Sequence, residues 1–212
     1  RLVNPSEGGA VTAVRNWNAA AAAAQGDLLV VIADDLFPPP GWDQALIEMT
    51  GRLDPTRTPF VVKVADSPRP ADVLLRHPVV SRAFYTRFGL FSPAYRGVYC
   101  DNDFTTRAFW RSVILDGRSL RLEHRHPALT DTVAPSESHD RMNRHDEYER
   151  GVARYVATWS RREQKTEPRL VPTASTRGLS HWRLVLTQRR FRAASSVGYA
   201  VRVMRNVATS RL

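Results

Sequence analysis

Apolar residues along this chain recur with two different spacings, and the switches between them mark out the elements. From Ala10 to Gln25 an Ala-rich segment places Val11, Val14, Trp17 and Asn18 near one face, which predicts a helix closed by Gly26. Leu28 to Ala33 is a continuous apolar run rich in Val and Ile, as expected of a strand buried on both faces in a parallel sheet. Pro38, Pro39 and Pro40 with Gly41 enforce an extended loop. Trp42, Leu46, Met49 and Leu53 then return to helical spacing, and Phe60 to Ala65 is the next strand. Residues 66–78 read as a polar loop, and Val79 to Phe88 as a helix or a turn-rich aromatic segment. Asn102 to Asp116 predicts a helix, Ser119 to Glu123 a strand and Ala128 to Asp140 a loop. Asn143 to Arg162 predicts a long polar helix with Tyr148, Val152, Tyr155, Val156 and Trp159 on its buried stripe. Helices alternating with strands predict an α/β body, helices packed on a mainly parallel sheet.

Composition narrows the class. At 212 residues and 42% apolar content the chain can bury a core without disulfide staples. No apolar stretch approaches the roughly 20 residues of a membrane-spanning helix. A single cysteine, Cys100, excludes an internal disulfide framework and a cysteine-rich zinc site. It fits a reducing compartment, so a cytoplasmic location is expected. Arg1 is not an initiator and no signal peptide follows, so the chain reads as beginning within a domain.

The formal charge of +10 is unevenly spread. After Glu167 there is no acidic residue but there are nine arginines, which leaves residues 1–167 at +1 when those nine are subtracted from the total. The expected organisation is therefore a near-neutral body over residues 1–167 and a basic helical tail over 168–212. Nucleic acid is not the expected partner, because the body lacks a broad phosphate-neutralising face.

Asp34 and Asp35 end the first predicted strand, where open α/β sheets place ligands, and hard divalent cations prefer carboxylate oxygens. The same pair before a proline-rich loop is also ordinary turn chemistry. Its surroundings add context. Arg15-Asn16 on a helix, Gly26-Asp27, the apolar run, Asp34-Asp35 and Pro40-Gly41-Trp42-Asp43 follow in an order that resembles family 2 inverting glycosyltransferases of the GT-A fold. The segment Phe84 to Arg107 looks like that family's acceptor segment, with a Gly-Phe-like turn before Cys100-Asp101 and a helix carrying an arginine. Glu123-His124-Arg125-His126-Pro127 stands where many GT-A enzymes supply a histidine near a metal. Two positions depart from the pattern: Ile32 replaces the first Asp of the family's Asp-x-Asp, and Cys100 replaces the acidic neighbour of Asp101. The family's opening nucleotide-binding strands are not found before Asn4, so a partial GT-A, Rossmann-like domain is expected.

The resemblance implies transfer of a sugar from a nucleotide-diphosphate sugar to a hydroxyl acceptor, lipid-linked or a growing polysaccharide. Asp101 would be the general base, the alternative being a helix cap. Asp103 is expected to cap the helix or support the acceptor site. Asp35, with His124 or His126, would hold Mg²⁺ or Mn²⁺, and Asp34, Arg15 and Asn16 would contact donor. Trp42 would stack on a sugar or belong to the core. His77, His139, His145 and His181 are expected on the solvated surface, and Cys100 is not read as a nucleophile.

The tail is expected to form two helical pieces broken near Ser195, Ser196 and Gly198. One apolar stripe runs through Trp182, Val185 and Leu186, with Arg189, Arg190 and Arg192 on or beside it, and another through Val197, Val201, Met204 and Ala208. Two uses are open: peripheral docking on an anionic membrane surface, or packing on the body. A rival to the enzyme reading is a noncatalytic scaffold whose basic tail binds anionic lipid or nucleic acid.

Overall fold

The computed structural model describes residues 12–51, 53–69, 71–127, 134, 140, 143–173 and 181–209, with side chains over 183–197 in the last segment. Thr12 opens helix α1 (Ala13–Ala23), its Oγ1 accepting the Arg15 N–H at 3.2 Å. Strand β1 (Leu28–Val30), strand β2 (Leu36–Phe37), helix α2 (Trp42–Thr50) and strand β3 (Phe60–Ala65) follow. Strand β4 (Val79–Ser81) runs directly into helix α3 (Arg82–Phe88). Helix α4 (Cys100–Arg111) leads into strand β5 (Val113–Arg121) and strand β6 (Glu123–His124). Helices α5 (His145–Thr158) and α6 (Arg161–Lys165), strand β7 (Val171–Pro172) and helix α7 (His181–Thr209) complete the order.

The main sheet has the order β1-β4-β3-β5-β7, and β2 pairs with β6 separately. Pairings β3-β5 and β5-β7 are parallel, while β4 is antiparallel to both its neighbours. The fold is thus α/β, a mixed sheet whose strands run one way except β4. Alternation along β3 sorts the core onto two faces. Val61, with Leu29, Val80 and Ile114, packs under α1, α3 and α4 through Val14, Phe84 and Phe104. Phe60, Val62 and Val64, with Leu115 and Val171, pack under Leu46 of α2 and Leu184 of α7.

The run from Leu28 is not a strand buried on both faces: only Leu28–Val30 pairs, at the sheet's end and antiparallel to β4. Past Val30 the backbone leaves the ladder, with the Val31 N–H on the Pro78 carbonyl at 3.1 Å and the Ile32 side chain exposed. Residues 79–88 divide into a strand and a helix at Ser81. Its hydroxyl accepts from the N–H groups of Phe84 and Phe60, so one side chain caps α3 and ties it to β3. The helix expected to reach Asp116 stops at Arg111, because Val113, Ile114 and Leu115 are all buried in parallel pairing with β3. The strand expected at 119–123 is the far end of that same β5, followed by β6.

The long helix expected over 143–162 is two. Ser160 interrupts it with a reciprocal cap to Glu163. Tyr148, Val152 and Val156 are exposed rather than buried. The contact with the body runs instead through Gly151, where an added Cβ would lie 2.9 Å from the Val98 carbonyl oxygen, and through Tyr155, whose hydroxyl is 2.7 Å from that of Thr106. The loop expected at 128–140 lies almost wholly outside the described residues.

The tail is one continuous helix across Ser195, Ser196 and Gly198. Its buried face carries Leu184 and Gln188, while Leu186 of the expected stripe is exposed. Arg192 donates from Nε to the Phe109 carbonyl at 2.7 Å and from Nη2 to the Ser112 carbonyl, and the Gln188 amide also reaches Phe109. These are carbonyls that the end of α4 leaves without intrahelical partners. Where side chains are described, then, the tail packs on the body, and β7 at Val171–Pro172 adds to the sheet.

Gly117 marks the tightest point of the sheet. A Cβ there would sit 2.4 Å from Val62 Cγ1 and 3.0 Å from the Lys63 carbonyl oxygen, just before the β3-β5 register breaks between Val64 and Ala65. Gly117→Ala is expected to cost about 1–3 kcal/mol by overpacking. Urea denaturation checks this, and a wild-type midpoint would contradict it.

Candidate functional site

The ends of β1 and β3 and the beginning of β4 lie on one edge of the sheet, and the chain's polar side chains converge there. Lys63 is the one charged residue inside the otherwise apolar β3, and it is only 2% exposed. Its Nζ meets Asp66, the residue directly after the strand, at 2.5 Å, and Asp66 is 1% exposed. The other carboxylate oxygen of Asp66 accepts from His77 Nδ1 at 3.1 Å and from the His77 backbone N–H at 3.3 Å. Burial alone would push the Asp66 carboxyl up, but the His77 hydrogen bond and the Lys63 charge outweigh it and hold the group at about 2.

His77 was expected on the surface and is instead 6% exposed. Its ring stands edge-on to that of His124, centroids 4.9 Å apart, and Trp17 closes the other side at 6.5 Å. The Trp17 indole N–H donates to the Ile32 carbonyl at 3.2 Å, so α1 holds the backbone that leads into Asp34-Asp35. His145, by contrast, is exposed as expected, while the side chains of His139 and His181 lie outside the described residues.

Pairing of β2 with β6 aligns Leu36 with His124 and so brings His124 against Asp35. His124 Nδ1 donates to the Asp66 backbone carbonyl at 3.0 Å, and its Nε2 faces Asp35 Oδ2 at 3.3 Å. With Nδ1 carrying a proton, imidazole and carboxylate are complementary only when a proton or a cation lies between them. Asp35 Oδ1 is buried with no hydrogen-bond partner, as is Asn16 Oδ1.

Asp101 lies in the first turn of α4, and Tyr99 before it sits at φ 68°, a left-handed conformation that a bulky residue rarely adopts. Tyr155 packs on the Tyr99 ring at 5.9 Å and Tyr148 at 6.4 Å, which fixes this entry to the helix. Burial raises the Asp101 carboxyl above the ordinary range against the Asn102 N–H and the charges of Arg76 and His77, which act to lower it. Arg76 is set by its bond to Asp72 and lies 3.8 Å from Asp66. The loop carrying Arg76 and His77 is docked on α4 by the Leu75 N–H, which donates to Thr105 Oγ1 at 2.9 Å.

The structure thus brings Asp35 and His124 together and places Asp101 within electrostatic reach of Arg76 and His77. Asp103 does not cap α4: it is buried, accepts the Trp159 indole N–H at 2.9 Å and lies 3.5 Å from Arg107, a structural joint between α4 and α5. His126 is ring-to-ring with His124 at 5.2 Å. Among the described residues no group of three or more His, Cys, Asp or Glu side chains is gathered for a metal, so Asp35 and His124 stand as a pair. Asp34 and Arg15 are exposed, Asn16 is half-buried, and Trp42 packs on the core face under α2. Cys100 is buried and its thiol is pushed up well above the ordinary range, mainly by burial. Among the described residues no helix is long and apolar enough to cross a membrane.

Comparison with known proteins finds no matching family model, curated protein or solved structure. The sequence did not single out Lys63, Asp66 or Arg76, and it pointed His77 to the surface. The available signal was a lone lysine inside an apolar strand followed at i+3 by an aspartate.

Because the folded carboxyl of Asp66 is depressed, its contribution to stability is present above the ordinary 3.8 and is lost as pH falls towards 2. The stability gap between wild type and Asp66→Asn should therefore narrow by about 2 kcal/mol between pH 5 and pH 2. Denaturation across that range measures it, and a gap constant with pH would contradict the account.

Proposed function

We propose that this chain carries the catalytic face of an inverting glycosyltransferase, moving a sugar from a nucleotide-diphosphate sugar to a hydroxyl acceptor. The observation that carries this reading is the pairing of Asp35 with a His124 whose second nitrogen is already committed to the Asp66 carbonyl, with His77 both in ring contact with His124 and part of the field felt by the raised carboxyl of Asp101. Metal-binding histidines commonly give their other N–H to a carbonyl or carboxylate in this way. The partnerless Asp35 Oδ1 is a further oxygen fit for a hard cation. Mg²⁺ or Mn²⁺ held by Asp35 and His124 would supply positive charge to the departing nucleoside diphosphate. Two protein ligands suffice where substrate phosphates and water complete the shell.

Asp101 is the general base in this reading. It takes the acceptor hydroxyl proton as the acceptor oxygen bonds to the anomeric carbon and the diphosphate leaves with its electron pair. Burial makes the carboxylate a stronger proton acceptor than an exposed Asp, while the Asn102 N–H and the Arg76 charge act in the opposite direction, towards the ionised form. In this reading Asp34, exposed beyond the end of β1, would contact donor, as would Arg15 and Asn16 of α1. Placement of the site on a mixed α/β sheet, at the ends of β1 and β3, is the arrangement expected for a ligand in an open sheet.

A panel of sugar nucleotides assayed for hydrolysis and transfer with and without Mn²⁺ tests the reading. Asp101→Asn should lower transfer by about 10²-fold or more with donor affinity unchanged. Asp35→Ala should weaken Mn²⁺-dependent donor binding, whereas Asp43→Ala, exposed in the first turn of α2, should not. Wild-type turnover in Asp101→Asn, or equal metal response in the two Ala variants, would overturn these assignments.

A further inference from the structure

Behind the Lys63–Asp66 pair, where β3, β5 and β7 end, lies a pocket of about 440 Å³. That volume falls in the roughly 300–1,000 Å³ range of small-molecule sites. Its charges divide into committed and uncommitted groups. Asp66 is held by Lys63 and His77. Asp72 is held by Arg76, and Asp116 takes two bonds from Arg118, at 2.7 Å from Nε and 2.7 Å from Nη2. Among the described residues Asp66, Asp72 and Asp116 are the carboxylates that line the pocket, and each thus has a cation of its own.

Two lining arginines remain. Arg69, in the loop after β3, and Arg121, at the end of β5, are exposed and form no ion pair with any described residue. The register break after Gly117 separates the partners of Val64 and Ala65, Gly117 and Arg121, and gives β5 the extra residues 118–120 that carry Arg118 and Ser119 into the pocket wall. Among the described residues, the unused charge of the pocket is therefore positive and double. Ser67, Ser119 and Thr173 and the apolar surfaces of Ala65 and Pro172 make up the rest of the wall.

We infer that this pocket binds a small phosphorylated molecule of about sugar-phosphate size, its phosphate dianion between Arg69 and Arg121. A phosphate monoester carries about −1.5 to −2 charge at pH 7 and three acceptor oxygens. That matches two guanidinium forks better than a carboxylate, which a single arginine can saturate through both oxygens. The neutral remainder of the ligand lies on the apolar and hydroxyl wall. Asp66 is common to this pocket and to the Asp35–His124 cluster, and the inference does not depend on the chemistry proposed for that cluster.

Isothermal titration of the full chain at fixed ionic strength, with glucose 6-phosphate, glucuronate, glucose and inorganic phosphate as separate probes, tests it. Glucose 6-phosphate should bind one to one, more tightly than inorganic phosphate or glucuronate, and glucose should not bind. Arg69→Ala and Arg121→Ala should each weaken glucose 6-phosphate binding about tenfold. Arg183→Ala, which removes an exposed tail cation, should leave it unchanged. Absence of glucose 6-phosphate binding, equal or tighter binding of glucuronate, or affinity unaltered in both pocket variants would overturn the inference.

Discussion

The buried ion pair of Lys63 with Asp66 is the interaction on which the rest of this edge depends. An ammonium and a carboxylate that are both nearly inaccessible to water persist only when each compensates the other and the remaining lone pairs are used. Asp66 meets that condition with the side chain and backbone of His77, while its own carbonyl fixes His124. One residue therefore orients both histidines, and through His124 the Asp35 carboxylate. It also closes the back of the pocket that Arg69 and Arg121 flank.

Strain and packing elsewhere serve the same edge. Tyr99 is held in a left-handed conformation by two tyrosine rings and by the close approach of Gly151, so α4 starts where Asp101 meets the field of Arg76 and His77. The far end of α4 is secured by Arg192 and Gln188 of the tail, which satisfy its last carbonyls. A helix fixed at both ends positions a first-turn carboxylate more tightly than a frayed one. Arg192 thereby uses its charge on the body itself, which the net charge of the tail does not reveal.

What the sequence made legible follows from periodicity. Helical spacing found α1 and α2, and a Val-rich apolar run interrupted only by Lys63 found β3, because in each case local pattern and tertiary burial agree. It failed where tertiary contact decided the outcome. Val113 to Leu115 could have continued a helix, and parallel pairing with β3 made them a strand. Tyr148, Val152 and Val156 form a convincing stripe, yet α5 meets the body along Gly151 and Tyr155 instead. At the site, the closeness of Asp35 to His124 was anticipated, whereas His77 resembled any other surface histidine until the 66–78 loop folded back onto α4 through Leu75 and Thr105. Residue type and spacing identify side chains that can do chemistry. Which of them are buried together depends on loop closure, which leaves no periodic trace.

A double-mutant cycle on Lys63 and Asp66, read by chemical denaturation at pH 7, tests most directly that this pair organises the edge. Lys63→Met and Asp66→Asn each leave one polar group buried without its counterpart, and each should cost about 3–5 kcal/mol. The double variant should cost less than the two together by at least about 2 kcal/mol, within the range seen for residues in direct contact. Additive losses would contradict the account, because they would mean that Lys63 and Asp66 stabilise the fold independently.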